Sequence, residues 1–200
     1  MRPFDASEHW AIFVLYRSAM KRHPSLIPLS HDHHHTLVLA QGLIVGQSRA
    51  PRSNWPTERR KQVDQVIAFF VETLQSHLKK EEAEIFPLAE KRLPSREAFI
   101  FTLRQEHEQI RSLVSDLECN LTNNLEERLP ILGRLLERNV RQEERVLFQA
   151  IQEELTESEL KTLGSRLAQS RRQVDSCRLI DTTRNNTSST DQTDTDPTRT

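Results

Sequence analysis

Residues Val63 to Ile85 read VDQVIAFFVETLQSHLKKEEAEI. Within them, Val63, Val66, Ile67, Phe70, Leu74, His77, Glu81 and Ile85 follow one another at steps of three or four. That spacing keeps side chains on one face of a helix. An imidazole and a carboxylate therefore point where Val and Leu point on either side of them. A buried carboxylate without a partner costs several kcal/mol, so it must be neutralised, paired or bound to a cation. A His and a Glu one turn apart on an inward face are a common way for a helix bundle to offer metal ligands.

The rest of the chain carries related stripes. Leu29, His33, Leu37 and Ala40 share a face in a helix expected from about Ser30 to Gln47, and Ile44 extends its apolar side. Leu103, His107, Ile110, Val114 and Leu117 do so in a helix from about Arg96 to Asn120. Leu132, Leu136, Asn139, Glu143, Leu147 and Ala150 do so in a helix from about Leu125 to Glu154. Asp32-His33 pairs with Glu106-His107, and His77-x-x-x-Glu81-Glu82 with Asn139-x-x-x-Glu143-Glu144. Ile85-Phe86 pairs in the same way with Leu147-Phe148. Two helix pairs of matching pattern predict an all-α, up-down four-helix bundle with pseudo-twofold character.

Punctuation along the chain refines this. Lys21 to Leu29 holds two prolines and reads as extended. Thr57 is available to cap the second bundle helix, whose last turn Pro87 should loosen. Pro94-Ser95 restarts the chain, Asn123-Asn124 mark a turn, and Pro130 is tolerable only near a helix beginning. Thr156 with Glu159 forms a capping box that opens a short C-terminal helix to about Gln169. Residues 1–20 form an N-terminal extension expected to be helical, capped by Asp5 or Ser7, with Trp10, Phe13 and Val14 on its apolar side. Residues 21–170 make the bundle. Residues 171–200, almost devoid of apolar side chains, read as a disordered tail.

Composition narrows the classes of function. A formal net charge of -1 over 200 residues supplies no field for nucleic acid or a membrane surface. No apolar run approaches the roughly 20 residues that a span needs. The segment from Trp10 to Tyr16 lacks the flanks of a signal peptide. Two widely separated cysteines, Cys119 and Cys177, fit a reduced, cytoplasmic protein.

His33, His77, Glu81, His107, Asn139 and Glu143 are thus candidates to meet at one level of the bundle. Imidazole with carboxylate suits iron, manganese or zinc, and carboxylates from two helices can bridge two ions. Each residue also has a plainer explanation. A lone core His is usually hydrogen-bonded, and Glu81 or Glu143 could exchange places with Glu82 or Glu144 by a one-residue slip. Of His31, His33, His34 and His35, the stripe selects His33, with His34 second.

The stretch Lys21-Arg22-His23-Pro24-Ser25-Leu26-Ile27-Pro28-Leu29-Ser30-His31-Asp32-His33-His34-His35 resembles the opening of bacterial hemerythrin-like domains. So do His77-Leu78-Lys79-Lys80-Glu81-Glu82 with Ile85-Phe86-Pro87, Gln105-Glu106-His107, and Glu143-Glu144-Arg145-Val146-Leu147-Phe148. The resemblance covers about Lys21 to Leu167. It implies an up-down bundle around a non-haem di-iron centre that binds or senses oxygen, nitric oxide, peroxide or iron level. It also implies His33, His77 and His107 as histidine ligands and Glu81 and Glu143 as bridging carboxylates. The chain departs from the family at Asn139, where the family's motif has His. The second metal is then weakly held or absent, or is served by a substitute such as Gln142 or His9. The leading expectation is a small-ligand-binding or -sensing iron protein rather than an enzyme. The competing readings are a metal-poor interaction protein on a degenerate bundle and, last, a peroxide-consuming oxidase.

Overall fold

A computed structural model describes residues 21–47, 55–119 and 124–169. The expected N-terminal helix, His9 and the tail from residue 171 lie outside the described residues. Among those described there is no strand, and the helices pack as a bundle.

Helix α1 is Ile27–Val45. It follows a 3-10 turn, Pro24–Leu26, so the expected extended run from Lys21 to Leu29 is confined to its start. His23 is extended, as the residue before a proline must be, and its Nδ1 accepts from the Ser25 N–H. Pro24 and Pro28 then sit in first turns, where a helix has no use for their missing N–H groups. The prolines therefore begin helical structure here. Gly46 ends α1 at φ 78°, a left-handed cap that a side chain would strain.

Helix α2 is a composite rod made of Arg59–Phe69, Phe70–Leu74, Gln75–Lys80, Glu81–Ile85 and Phe86–Arg92. Its second and fourth pieces are π-helical. Thr57 does not cap it; Glu58 occupies that position without a side-chain cap. Helix α3 is Glu97–Cys119, entered through the turn Pro94–Arg96. Asn124, at φ 54°, turns the chain into α4. This second composite rod comprises Leu125–Gln142, a π-helical Glu143–Leu147 and Phe148–Glu154, with Pro130 inside its first piece. A last helix, α5, covers 157–169. Its capping box forms as expected: Glu159 accepts from the Thr156 N–H at 2.9 Å, and Thr156 Oγ1 accepts from the Glu159 N–H at 3.4 Å.

Two apolar cores lie along the bundle. One gathers Leu26 of the 3-10 turn, Leu29 of α1, Ile85, Phe86 and Ala89 of α2, Ile100 and Leu103 of α3, Leu147, Phe148 and Ile151 of α4, and Leu160, Leu163 and Leu167 of α5. The other gathers Leu39, Ala40 and Leu43, then Val63 to Leu78, Ile110 to Leu117, and Leu129 to Leu136. Each of α1 to α4 runs from one core to the other, and successive helices do so in opposite senses. That is the up-down order. On α1 the buried line after His33 runs through Thr36, Leu39, Ala40 and Leu43, leaving Leu37 and Ile44 only half-buried. Close packing causes the difference. A Cβ on Gly133 of α4 would lie 2.8 Å from the Ala40 carbonyl oxygen, so α1 meets α4 almost backbone to backbone and rotates its small residues inward.

Candidate metal centre

The side chains that break the apolar stripes fall in the layer between the two cores. His33 lies between Leu29 and Leu39, and His77 and Glu81 between Leu74 and Ile85. His107 lies between Leu103 and Ile110, and Asn139 and Glu143 between Leu136 and Leu147. All six are buried, with Glu81, His107 and Glu143 at 0% exposure. The inward member of each Glu pair is the one expected, Glu81 and Glu143, and His33 rather than His34 is the buried histidine.

His33 Nε2 lies 3.4 Å from Glu81 Oε1 and 3.2 Å from Glu143 Oε2. His77 Nε2 lies 3.2 Å from Glu81 Oε2. His107 Nε2 lies 3.2 Å from Glu143 Oε1 and 3.7 Å from Glu81 Oε2. One ligand atom from each of His33, His77, Glu81 and Glu143 falls within 4.8 Å of the others, an arrangement able to hold a metal ion. His107 stands beside that group, bonded to Glu143. Gln142 is half-buried, and its Oε1 accepts no hydrogen bond.

Glu81 Oε1 and Oε2, Glu143 Oε2 and His33 Nε2 are all buried without a hydrogen-bond partner among the described residues. Buried carboxylate oxygens normally collect two or three donors. These four atoms instead lie in the group of His33, His77, Glu81 and Glu143 and are available to a cation. The donor set of two imidazoles and two carboxylates fits iron, manganese or zinc.

A surrounding shell orients the rings, and stripe arithmetic missed it. Glu144 Oε1 accepts from His33 Nδ1 at 2.7 Å, Asp32 Oδ2 from His77 Nδ1 at 3.3 Å, and Glu82 Oε1 from His107 Nδ1 at 2.8 Å. Carboxylates can only accept, so each Nδ1 carries a proton, and on His33 and His77 it is Nε2 that faces the centre, as a lone pair once a cation displaces its proton. The second glutamates of the two Glu pairs are thus partners of the histidines rather than a solvated face. Ser30 Oγ donates to Glu144 at 2.7 Å, Arg22 pairs with Glu144, and Arg111 grips both oxygens of Glu82 at 2.7 and 2.8 Å. Phe148 stacks on His33 with centroids 5.4 Å apart, and Phe86 tilts over His107 at 5.1 Å. The sequence signal for this shell was the adjacency itself: Asp32 before His33, and Glu82 and Glu144 after Glu81 and Glu143.

The contacts repeat about a pseudo-twofold. His33 to Glu144 matches His107 to Glu82, and Phe148 on His33 matches Phe86 on His107. His77 to Asp32 matches Asn139 to Glu106, whose Oε2 accepts from Asn139 Nδ2 at 3.3 Å. Glu106, 3% exposed, was not among the expected inward residues. It is charge-balanced by Arg138 Nε at 2.7 Å.

The electrostatics follow from this crowding. Burial opposes charge on His33, but Glu143, Glu144 and Glu81 outweigh it and hold the imidazole well above its ordinary range. His77 is likewise pushed up: burial pulls down, and Glu81 and Asp32 overcome it. At His107 the bonds to Glu143 and Glu82 overcome burial and raise the pKa to about 9. Burial would raise the Glu81 carboxyl, but the imidazoles of His77 and His33 beside it push it below the usual carboxylate range. The two His-facing glutamates of the shell are also depressed. Glu144 is held at about 2 because His33, Ser30 and Arg22 outweigh its burial. Protons and a cation thus compete for the same negative cavity.

No curated protein and no solved structure matches this chain. The description "Hemerythrin HHE cation binding domain" matches residues 27–151, which run from the first residue of α1 to the last residue of the core that α4 contributes beyond Glu143. Four helices in up-down order, a His/Glu layer between two cores and a match over most of the bundle agree with one another, and the chain belongs to the hemerythrin HHE cation-binding domain family.

Proposed function

We propose that this protein holds non-haem iron between its two cores and uses it to bind or sense a small ligand such as oxygen, nitric oxide or peroxide, or to report iron level. His33, His77, Glu81 and Glu143 are the ligands, and His107 completes the polar layer at Glu143. The orphaned oxygens of Glu81 carry the reading. A carboxylate with 0% exposure and no hydrogen bond to either oxygen among the described residues is costly unless positive charge sits beside it, either a cation or protonated imidazoles in its place.

Bound iron would supply a redox-active centre with positions open to a small ligand. The chain's own residues do the rest. Asp32 and Glu144 hold the two imidazoles in the tautomer that offers Nε2. Phe86, Phe148, Ile85 and Leu147 keep bulk water away, because each is fully buried against the layer. A cytoplasmic setting belongs to the same proposal, and the exposed free thiol of Cys119 supports it. No helix among the described residues is long and apolar enough to cross a membrane.

The test is anaerobic loading with ferrous iron, desalting, and exposure to oxygen or nitric oxide. Retained iron and a new near-ultraviolet or visible absorption are expected. A chain that keeps no iron after desalting, with the same melting temperature in chelator and in iron, would instead be a metal-poor interaction bundle.

A further inference from the structure

The two halves of the polar layer are matched in position but not in bonding. On the His33–His77 side, His33 Nε2, both Glu81 oxygens and Glu143 Oε2 have no hydrogen-bond partner among the described residues. On the other side His107, Asn139 and Glu143 Oε1 are engaged. His107 bonds through both nitrogens, Nδ1 to Glu82 at 2.8 Å and Nε2 to Glu143 Oε1 at 3.2 Å. Asn139 Nδ2 donates to the same Glu143 Oε1 and to Glu106 Oε2, 3.3 Å each. Arg138 Nε donates to Glu106 Oε1 at 2.7 Å and, at 55% side-chain exposure, ends this chain of bonds at the surface.

From this asymmetry we infer that the centre holds a single metal ion. Its ligands are His33, His77, Glu81 and Glu143 Oε2, and the relay Arg138–Glu106–Asn139–Glu143 closes the place a second ion would take. The inference rests on the metal-binding reading above and narrows it. Where the pseudo-twofold calls for a second imidazole like His77, this chain has an amide. The Asn139 NH2 donates hydrogen bonds into the cavity, where His77 offers a lone pair. It donates to Glu143 Oε1 and Glu106 Oε2. Glu143 is thereby split: Oε1 accepts from the Asn139 amide and lies 3.2 Å from His107 Nε2, and Oε2 is left for a cation. Asn139 and Glu106 are positioning residues, since they act on the metal place through Glu143.

The experiment counts ions and reads their magnetic state in the intact chain. Wild-type protein titrated with manganese(II) should bind one ion per chain and show the six-line hyperfine signal of an isolated ion. Anaerobic ferrous iron should reach the same count. Asn139→His should raise the count to two and give an exchange-coupled spectrum. Two coupled ions in the wild type would overturn the single-metal inference and leave the iron reading standing. No bound ion would remove both. A count that stays at one in Asn139→His would overturn the role given to position 139. If that variant does not fold, the wild-type count and spectrum still decide between one ion and two.

Discussion

Asp32 follows no apolar stripe, yet it accepts from His77 Nδ1 and fixes which nitrogen faces Glu81. Removing such a partner usually costs about 10–100-fold in metal affinity. Asp32→Ala should therefore weaken binding by about that factor while leaving the helical circular dichroism unchanged, and competition with a graded chelator measures it. Charge at the same residues sets a dependence on pH. His107 has a folded pKa of about 9 against an ordinary value near 6.5. Its contribution to metal-free stability is thus complete below about pH 6.5 and is lost as pH rises toward 9. Glu144 runs the other way: depressed to about 2, it contributes above its ordinary value and is lost as pH falls toward 2. Metal-free protein should melt progressively lower from pH 6.5 to 9. Metal should raise the melting temperature more at the alkaline end, because fewer protons then compete for the imidazoles. Scanning calorimetry with and without chelator across that range checks both signs. A metal increment that shrinks with rising pH would contradict the assignment of His33 and His77 as ligands.

At the scale of the helix, the two carboxylates each open a π turn, Glu81–Ile85 in α2 and Glu143–Leu147 in α4. A π turn places one extra residue in the rod and widens it locally, often at functional positions. Here it brings two consecutive residues inward after each Glu: Ile85 with Phe86, and Leu147 with Phe148. Periodicity at 3.6 residues reveals the inward Glu but not this widening, since the steps His77 to Glu81 and Glu81 to Ile85 look ordinary in an α-helix. Deleting exposed Arg145 should convert Glu143–Leu147 to regular helix. The rod beyond it would keep its phase, while Glu143 and Glu144 would be re-aimed. The expected result is retained helicity with loss of metal binding, read by circular dichroism and equilibrium dialysis. Unchanged binding would mean that the π turn does not aim these side chains. The 3-10 turn before α1 and the first turn of α1 depend on packing in the same way. Pro24 and Pro28 make Lys21 to Leu29 read as extended, but a proline is also at home in the first turn of a helix. Only the packing of Leu26 and Leu29 against Ile85 and Phe86 selects the helical outcome.

Across the whole molecule, the polar layer divides the interior into two cores, and α5 belongs to only one of them. Leu160, Leu163 and Leu167 cover the end where α1 begins and α2 finishes, beneath Phe86 and Phe148. Burying a leucine contributes roughly 1.5–3 kcal/mol. Ending the chain at Leu155 should therefore lower stability by several kcal/mol in urea unfolding and loosen the pocket around His33 and His107. Metal should restore part of the loss, because a ligand of the native state stabilises it by mass action. Equal stability of the truncated and full chains would show that α5 does not hold this core closed. What the amino-acid order determined by itself was the helical class, the repeat of paired helices and the inward faces of His33, His77, Glu81, His107, Asn139 and Glu143. Helical periodicity and the cost of burying charge are local rules, and both can be read from spacing. Only the folded arrangement decided that Asp32, Glu82, Glu144 and Glu106 reach across to residues on other helices, and that Asn139 gives its amide protons to Glu143 and Glu106. Those contacts join groups far apart in the chain. Their distances depend on how closely the helices approach and how they rotate about their axes, which spacing along a single helix does not carry.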